Sequence, residues 1–227
     1  MNKIGVFGGT FNPVHKGHEK IAVDFYKKMG LSKLIVIPSN IPPHKQSGGI
    51  ISMVSAAQRL EMCRICFESQ KYRDYSDYND YSDYSDYNIE VSDMEIKKEG
   101  ISYSYDTVKT LREIYGYERY SRDSICFLIG SDMFLYLEKW HKYKELLEMC
   151  AFTVAFRNNA DCGEVIKMYE KLTGQGYKIG LLENIPLEIS STDLRNMIKA
   201  GDFITCEKYI SPEVLDYIKE RKIYVLQ

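Results

Sequence analysis

Two histidines three residues apart, His15 and His18, end the run Gly8-Gly9-Thr10-Phe11-Asn12-Pro13-Val14-His15-Lys16-Gly17-His18. The run follows an apolar segment, residues 3–7, that reads as a buried strand. It leads into residues 18–29, where Ile21, Ala22, Phe25 and Met29 fall at helical spacing before Gly30. Glycines at a strand's end let backbone N–H groups approach a phosphate closely. A helix starting near Lys16 or Gly17 turns its positive dipole end to the same spot. Two imidazoles among such donors suit a polyphosphate whose charge grows during reaction. A lone His-x-x-His would read as two surface histidines by a turn; the glycine pair, strand and helix around it favour a phosphate site.

A second cluster has an independent logic. In Ile189-Ser190-Ser191-Thr192-Asp193-Leu194-Arg195, Ser191 and Thr192 are expected to cap a helix and offer hydroxyls and N–H groups to an anion. Arg195, one turn on, brings a guanidinium fork to the same phosphates. By itself this is an ordinary cap with a solvated arginine; paired with the first run, it reads as the other half of a polyphosphate grip.

Strands must carry these residues, and the pattern supplies them. Residues 34–37, 89–96, 124–129, 151–156 and 178–182 read as further strands. Residues 55–68, 105–115, 192–200 and 212–220 read as helices. The alternation predicts a single three-layer, Rossmann-like α/β domain with a mostly parallel sheet, spanning residues 1–227. Residues 74–88 interrupt it with five Asp-Tyr-Ser/Asn tripeptides. A period of three fits neither helix nor strand, so the repeat reads as an inserted surface loop.

Thirty Lys+Arg against 32 Asp+Glu leave a net charge of −2, which disfavours a strongly basic nucleic-acid binder. No apolar run approaches a membrane span, and no signal peptide is evident at the N-terminus, so the expected location is cytoplasmic. Cys63 and Cys66 form a lone Cys-x-x-Cys within a helical stretch, away in sequence from all four histidines, and read as plain buried thiols.

GGTFNPVHKGH resembles the signature of the HxGH nucleotidyltransferase superfamily, most closely that of the bacterial nicotinate mononucleotide adenylyltransferases. ISSTDLR resembles the family's ISSTxxR element. Asn40–Lys45 (NIPPHK), Gly100–Thr107 (GISYSYDT, with Ser104 where Thr is usual), Ile129–Asp132 (IGSD) with Lys139-Trp140, and Tyr209–Val214 (YISPEV) resemble four further segments. The resemblance implies transfer of AMP from ATP to nicotinate mononucleotide, with Mg²⁺ arriving on ATP. It implies catalytic roles for His15, His18 and Lys45, and ATP binding by Gly8, Gly9, Thr10, Phe11, Ser191, Thr192 and Arg195. It assigns Tyr103, Ser104 and Trp140 to the nicotinate and Asp132 to a ribose. No dedicated metal ligands are expected. His141 has no evident chemical warrant. Other acceptors (nicotinamide mononucleotide, phosphopantetheine), a non-catalytic nucleotide sensor, an RNA- or protein-binding role for the tyrosine repeat, and a homo-oligomer stay open.

Overall fold

The computed structural model of the chain describes residues 3–43, 54–68, 87–98, 100–116, 124–156, 162–183 and 187–225. β1 (Ile4–Gly9) leads into α1 (Lys16–Met29), then β2 (Lys33–Pro38), α2 (Ala56–Glu68) and β3 (Ile89–Val91). The short α3 (Met94–Lys97) and α4 (Ser104–Ile114) return the chain to β4 (Ile125–Gly130). α5 (Ser131–Leu135), a single 3-10 turn and α6 (Tyr143–Met149) precede β5 (Ala151–Ala155); α7 (Cys162–Gly174) precedes β6 (Ile179–Leu182). α8 (Ser191–Lys199), α9 (Phe203–Cys206) and α10 (Pro212–Glu220) follow.

The sheet order is β3-β2-β1-β4-β5-β6, and all five neighbouring pairs run parallel. From β1 the chain first builds outward through β2 and β3, then crosses to β4 on the other side. Ligands in such sheets bind at that reversal, beyond the carboxyl ends of the central strands. Gly8-Gly9 of β1 and Gly130 of β4 therefore emerge side by side, with Phe7 registered against Leu128.

Period-two alternation along the strands supplies two cores. Phe7, Leu34, Val36, Cys126 and Leu128 face one layer, with residues of α1, α2, α8 and α10. Ile4, Val6, Ile35, Ile37, Ile125, Phe127 and Ile129 face the other, with residues of α4 to α7. α1 lies so close to the sheet that a Cβ on Gly5 would overlap Leu31, Leu34 and the Phe25 ring.

Two expectations are corrected. β3 ends at Val91, not residue 96, because Ser92 and Asp93 turn the chain: Ser92 Oγ accepts from Met94 N–H at 3.3 Å and α3 begins. α1 begins at Lys16, where the helix was expected to start. α6, α7 and α9 are helices that the spacing does not announce. Cys63 and Cys66 are free, buried thiols on α2, as expected. Among the described residues no helix is long and apolar enough to cross a membrane.

Candidate active site

His15 has extended backbone and is the N-cap of α1. Its Nδ1 accepts from Gly17 N–H at 3.2 Å, and His18 Nδ1 accepts from His15 N–H at 3.3 Å. The two rings thus form a capping box built from imidazoles, in place of the usual Ser and Glu. This cap starts the helix at Lys16. A ring nitrogen that accepts carries no proton, so each neutral ring bears its proton on Nε2. The cap therefore fixes both the tautomer and the direction of two N–H donors. The ring centroids stand 3.8 Å apart. Phe11 packs edge-on against His18 at 5.1 Å, and Phe7 edge-on against Phe11 at 5.2 Å.

Gly17 has a steric duty here. A Cβ at this position would lie 3.0 Å from both Cε1 and Nδ1 of His15. Gly17→Ala gains up to ~1 kcal/mol of helix propensity but forces the His15 ring aside by a few tenths of an ångström. The expected result is an unchanged or raised Tm with turnover reduced by about tenfold or more. Wild-type turnover in this variant would show that ring position is not what the glycine protects.

Between β1 and α1 the backbone carbonyls point into the protein. Gly9 C=O accepts from Ser39 N–H at 2.9 Å and Thr10 C=O from Arg59 Nη1 at 2.7 Å. Asn12 C=O accepts from Arg195 Nη1 at 2.8 Å and Pro13 C=O from Ser191 Oγ at 2.9 Å. The Asn12–Pro13 peptide is cis. Asn12 Oδ1 accepts from the Tyr224 hydroxyl at 2.7 Å and from Val54 N–H at 3.4 Å. Across a trans peptide the C=O and the following N–H are antiparallel. The Thr10 carbonyl, held by buried Arg59, thus turns the Phe11 N–H the other way.

The second cluster meets this loop directly, with one correction. The cap of α8 is Ser190, not Ser191 or Thr192: Ser190 Oγ accepts from Asp193 N–H, and the Asp193 carboxylate accepts from Ser190 N–H, both at 3.1 Å. The Ser-x-x-Asp spacing was the signal that identifies it. Ser191 and Thr192 are the first two helical residues. Arg195 Nη2 donates to Thr192 Oγ1 at 3.0 Å while Nη1 holds Asn12. α8 is thus strapped across the β1–α1 loop, its N-terminus beside the histidine cap.

A separate group gathers beyond β2 and β4. Ile41 and Ile101 form a parallel bridge, and Asn40 N–H donates to Ser102 Oγ at 2.9 Å. This joins the segment after β2 to the start of α4, whose N-cap, Tyr103, gives no side-chain bond to the helix. Ser104 opens α4. The Tyr103 ring lies 4.5 Å from the ring of His141, which also stands edge-on to Tyr105 at 6.0 Å. His141, passed over in the sequence, thus links the α4 terminus to the segment bearing Trp140. Trp140 is half-buried and edge-on to Phe127 at 6.3 Å. Asp132 is exposed in the first turn of α5, at the end of β4. Lys45 lies outside the described residues, as do residues 74–86 of the tyrosine repeat. Its last tyrosine, Tyr87, packs edge-on against Tyr26 at 5.1 Å.

One carboxyl group of α1 is buried toward α2 and α10. Glu19 on α1 is buried, and burial raises its pKa to about 7, against opposing contributions from the Cys66 thiol and Lys16. Glu19 Oε1 has no hydrogen-bond partner.

A family model described as cytidylyltransferase-like matches residues 6–197. A Fusobacterium nucleatum protein called a probable nicotinate-nucleotide adenylyltransferase is 37% identical over 221 residues, covering 94% of this chain and 100% of its own. A Clostridium acetobutylicum protein of the same description is 33% identical, covering 99% and 100%. Among solved structures, the Plasmodium falciparum nicotinic acid mononucleotide adenylyltransferase complexed with NaAD matches with a TM-score of 0.72 at 21% identity, over 99% of this chain and 98% of that one.

Proposed function

The chain belongs to the cytidylyltransferase-like family and within it to the nicotinate-nucleotide adenylyltransferases, and on that premise we propose that it transfers AMP from ATP to nicotinate mononucleotide, releasing pyrophosphate. The observation that carries this reading is the imidazole capping box of His15 and His18 at the N-terminus of α1, next to the switch point of the sheet.

The mononucleotide's phosphate oxygen attacks the α-phosphorus of ATP in line. The new P–O bond forms as the bond to the bridging α,β-oxygen breaks, and pyrophosphate leaves with that electron pair. A phosphate monoester is already largely ionised near neutral pH, so no protein base is required. The protein's work is to place two anions together and to neutralise charge on the α- and bridging oxygens. His15 and His18 serve the latter. Gly8, Gly9, Thr10 and Phe11 supply backbone donors, and Ser191, Thr192 and Arg195 hold the β- and γ-phosphates. Lys45 neutralises the reacting pair. Tyr103, Ser104 and Trp140 seat the pyridine ring, and Asp132 accepts from a ribose.

The donors collected here are imidazole, hydroxyl, amide and guanidinium groups, which fit phosphate oxygens rather than a hard cation. Mg²⁺ accordingly comes bound to the ATP phosphates and contributes charge neutralisation there.

Pyrophosphate release is measured with ATP·Mg²⁺ and, in parallel, nicotinate mononucleotide, nicotinamide mononucleotide and phosphopantetheine. Strong preference for the first is expected. Preference for another acceptor overturns the substrate assignment; ATP binding without release on any acceptor favours a nucleotide sensor.

A further inference from the structure

Arg59 is the largest fully buried side chain among the described residues. Its described contacts are to carbonyls, not to a carboxylate. Nη1 donates to Thr10 C=O at 2.7 Å, Nη2 to Asn40 C=O at 2.9 Å and Nε to Val54 C=O at 3.4 Å. These three oxygens belong to three different segments. Thr10 lies in the loop between β1 and α1. Asn40 and Val54 flank the stretch that carries Lys45. A guanidinium is the one side chain that can hold all three, because its donors diverge in a rigid plane. Burying such a charge is costly, and removing it would leave three carbonyls without their donor.

The consequence for the site runs through one peptide plane. Thr10 C=O is held inward, so the Phe11 N–H is held outward by the planarity of the trans peptide. Phe11 pays for this orientation with a left-handed backbone, φ 48°, uncommon for a residue with a side chain. Its ring is locked against Gly9, where a Cβ would meet ring atoms at 2.8–3.2 Å, and against Phe7 and His18. The strained peptide has two anchors, the aromatic packing on one side and Arg59 on the other.

We propose that Arg59 is a positioning residue for phosphate recognition: it aims the Phe11 amide at the bound anion and fixes both flanks of the Lys45 segment to the same point. This rests on the reading of the β1–α1 loop as a phosphate site. Arg59 touches no substrate; it acts through the backbone of Thr10 and Asn40.

The test uses the full-length protein and two readouts. In the first, the Phe11 amide resonance of the ¹⁵N-labelled wild type is followed as inorganic pyrophosphate is added. A saturable shift is expected, and a folded Arg59→Lys, which keeps the charge but not the fork, should lose it. In the second, steady-state kinetics of Arg59→Lys should show KM for ATP raised by about 10- to 100-fold, the loss expected for one charge-assisted hydrogen bond, with KM for the mononucleotide changed far less. A merely structural residue would lower Tm and leave both the amide shift and the KM ratio in place. Binding of pyrophosphate to the wild type without movement of the Phe11 resonance overturns the proposal even if no Arg59 variant folds. Failure of the wild type to bind pyrophosphate or ATP at all overturns the phosphate reading of the loop instead.

Discussion

His18→Ala is expected to lower kcat by about 10³-fold, the largest single loss among the residues placed here. The loss has two parts. Removing a donor aimed at developing charge in an enclosed site costs about 10²–10³ in rate. His18 Nδ1 also accepts the His15 N–H, so its loss frees that backbone group and loosens the partner ring, 3.8 Å away. Two substitutions separate the parts. Asparagine places an acceptor oxygen near the position of Nδ1 and restores the cap without the distal donor. Glutamine places an amide N–H nearer Nε2. His18→Asn should therefore regain thermal stability with kcat still near that of alanine, while His18→Gln should regain part of kcat. If asparagine restores the rate, the cap rather than the Nε2–H donor is what catalysis needs. Rates are measured under saturating ATP·Mg²⁺, and folding is monitored by thermal melts of the same preparations.

That the eleven residues from Gly8 to His18 were readable reflects how local their physics is. Strand end, glycines, cap and helix dipole all act within a few residues, and each leaves a mark in composition. Even there one detail is hidden: imidazole as a capping group is outside the usual Ser, Thr, Asp and Asn menu, so the helix start near Lys16 is legible but the cap that makes it is not. The fold was legible for the same reason, since Leu34 to Ile37 and Ile125 to Ile129 alternate between two cores without needing any distant partner to declare them. β3 failed because Ser92 and Asp93, ordinary turn residues, sit in the middle of an otherwise strand-like run. α6 was unreadable from its seven residues, of which only Leu146 and Leu147 are buried.

The parts of the site that went unseen depend on contacts far apart in the chain. Arg59 reads as one more charged residue on an amphipathic helix, yet it binds Thr10, 49 residues away. Tyr224 reads as a terminal aromatic, yet its hydroxyl holds Asn12 across 212 residues. Arg195 was expected to serve only phosphates, and it also ties down Asn12. No spacing rule announces such links, because loop closure costs little more for a long separation than for a moderate one. A sequence pattern names the groups that face the substrate more readily than the groups that hold them in place.

Glu19→Gln is expected to stabilise the protein at pH 8 and to change it little at pH 4. The carboxyl has a folded pKa of about 7 against 4.5 in its ordinary state, the largest cause being burial. The Cys66 thiol of α2 and Lys16 of α1 pull it down, while Glu213 of α10 pushes it up. Below the unfolded value both states hold the proton and nothing is lost. Between about 4.5 and 7 the unfolded chain ionises while the native one keeps its proton, so stability falls as pH rises. Above 7 both are ionised, and the native state carries the full cost of a buried carboxylate whose Oε1 has no partner. A shift of this size corresponds to about 3 kcal/mol. Glutamine is close in shape and cannot ionise, so that cost disappears, less whatever its amide loses by burial without a partner. Urea unfolding of wild type and variant from pH 4 to pH 8 should give curves that coincide at the acid end and diverge progressively across the window. Parallel curves would mean that Glu19 titrates alike in both states, and that the space between α1, α2 and α10 is better solvated than its burial implies.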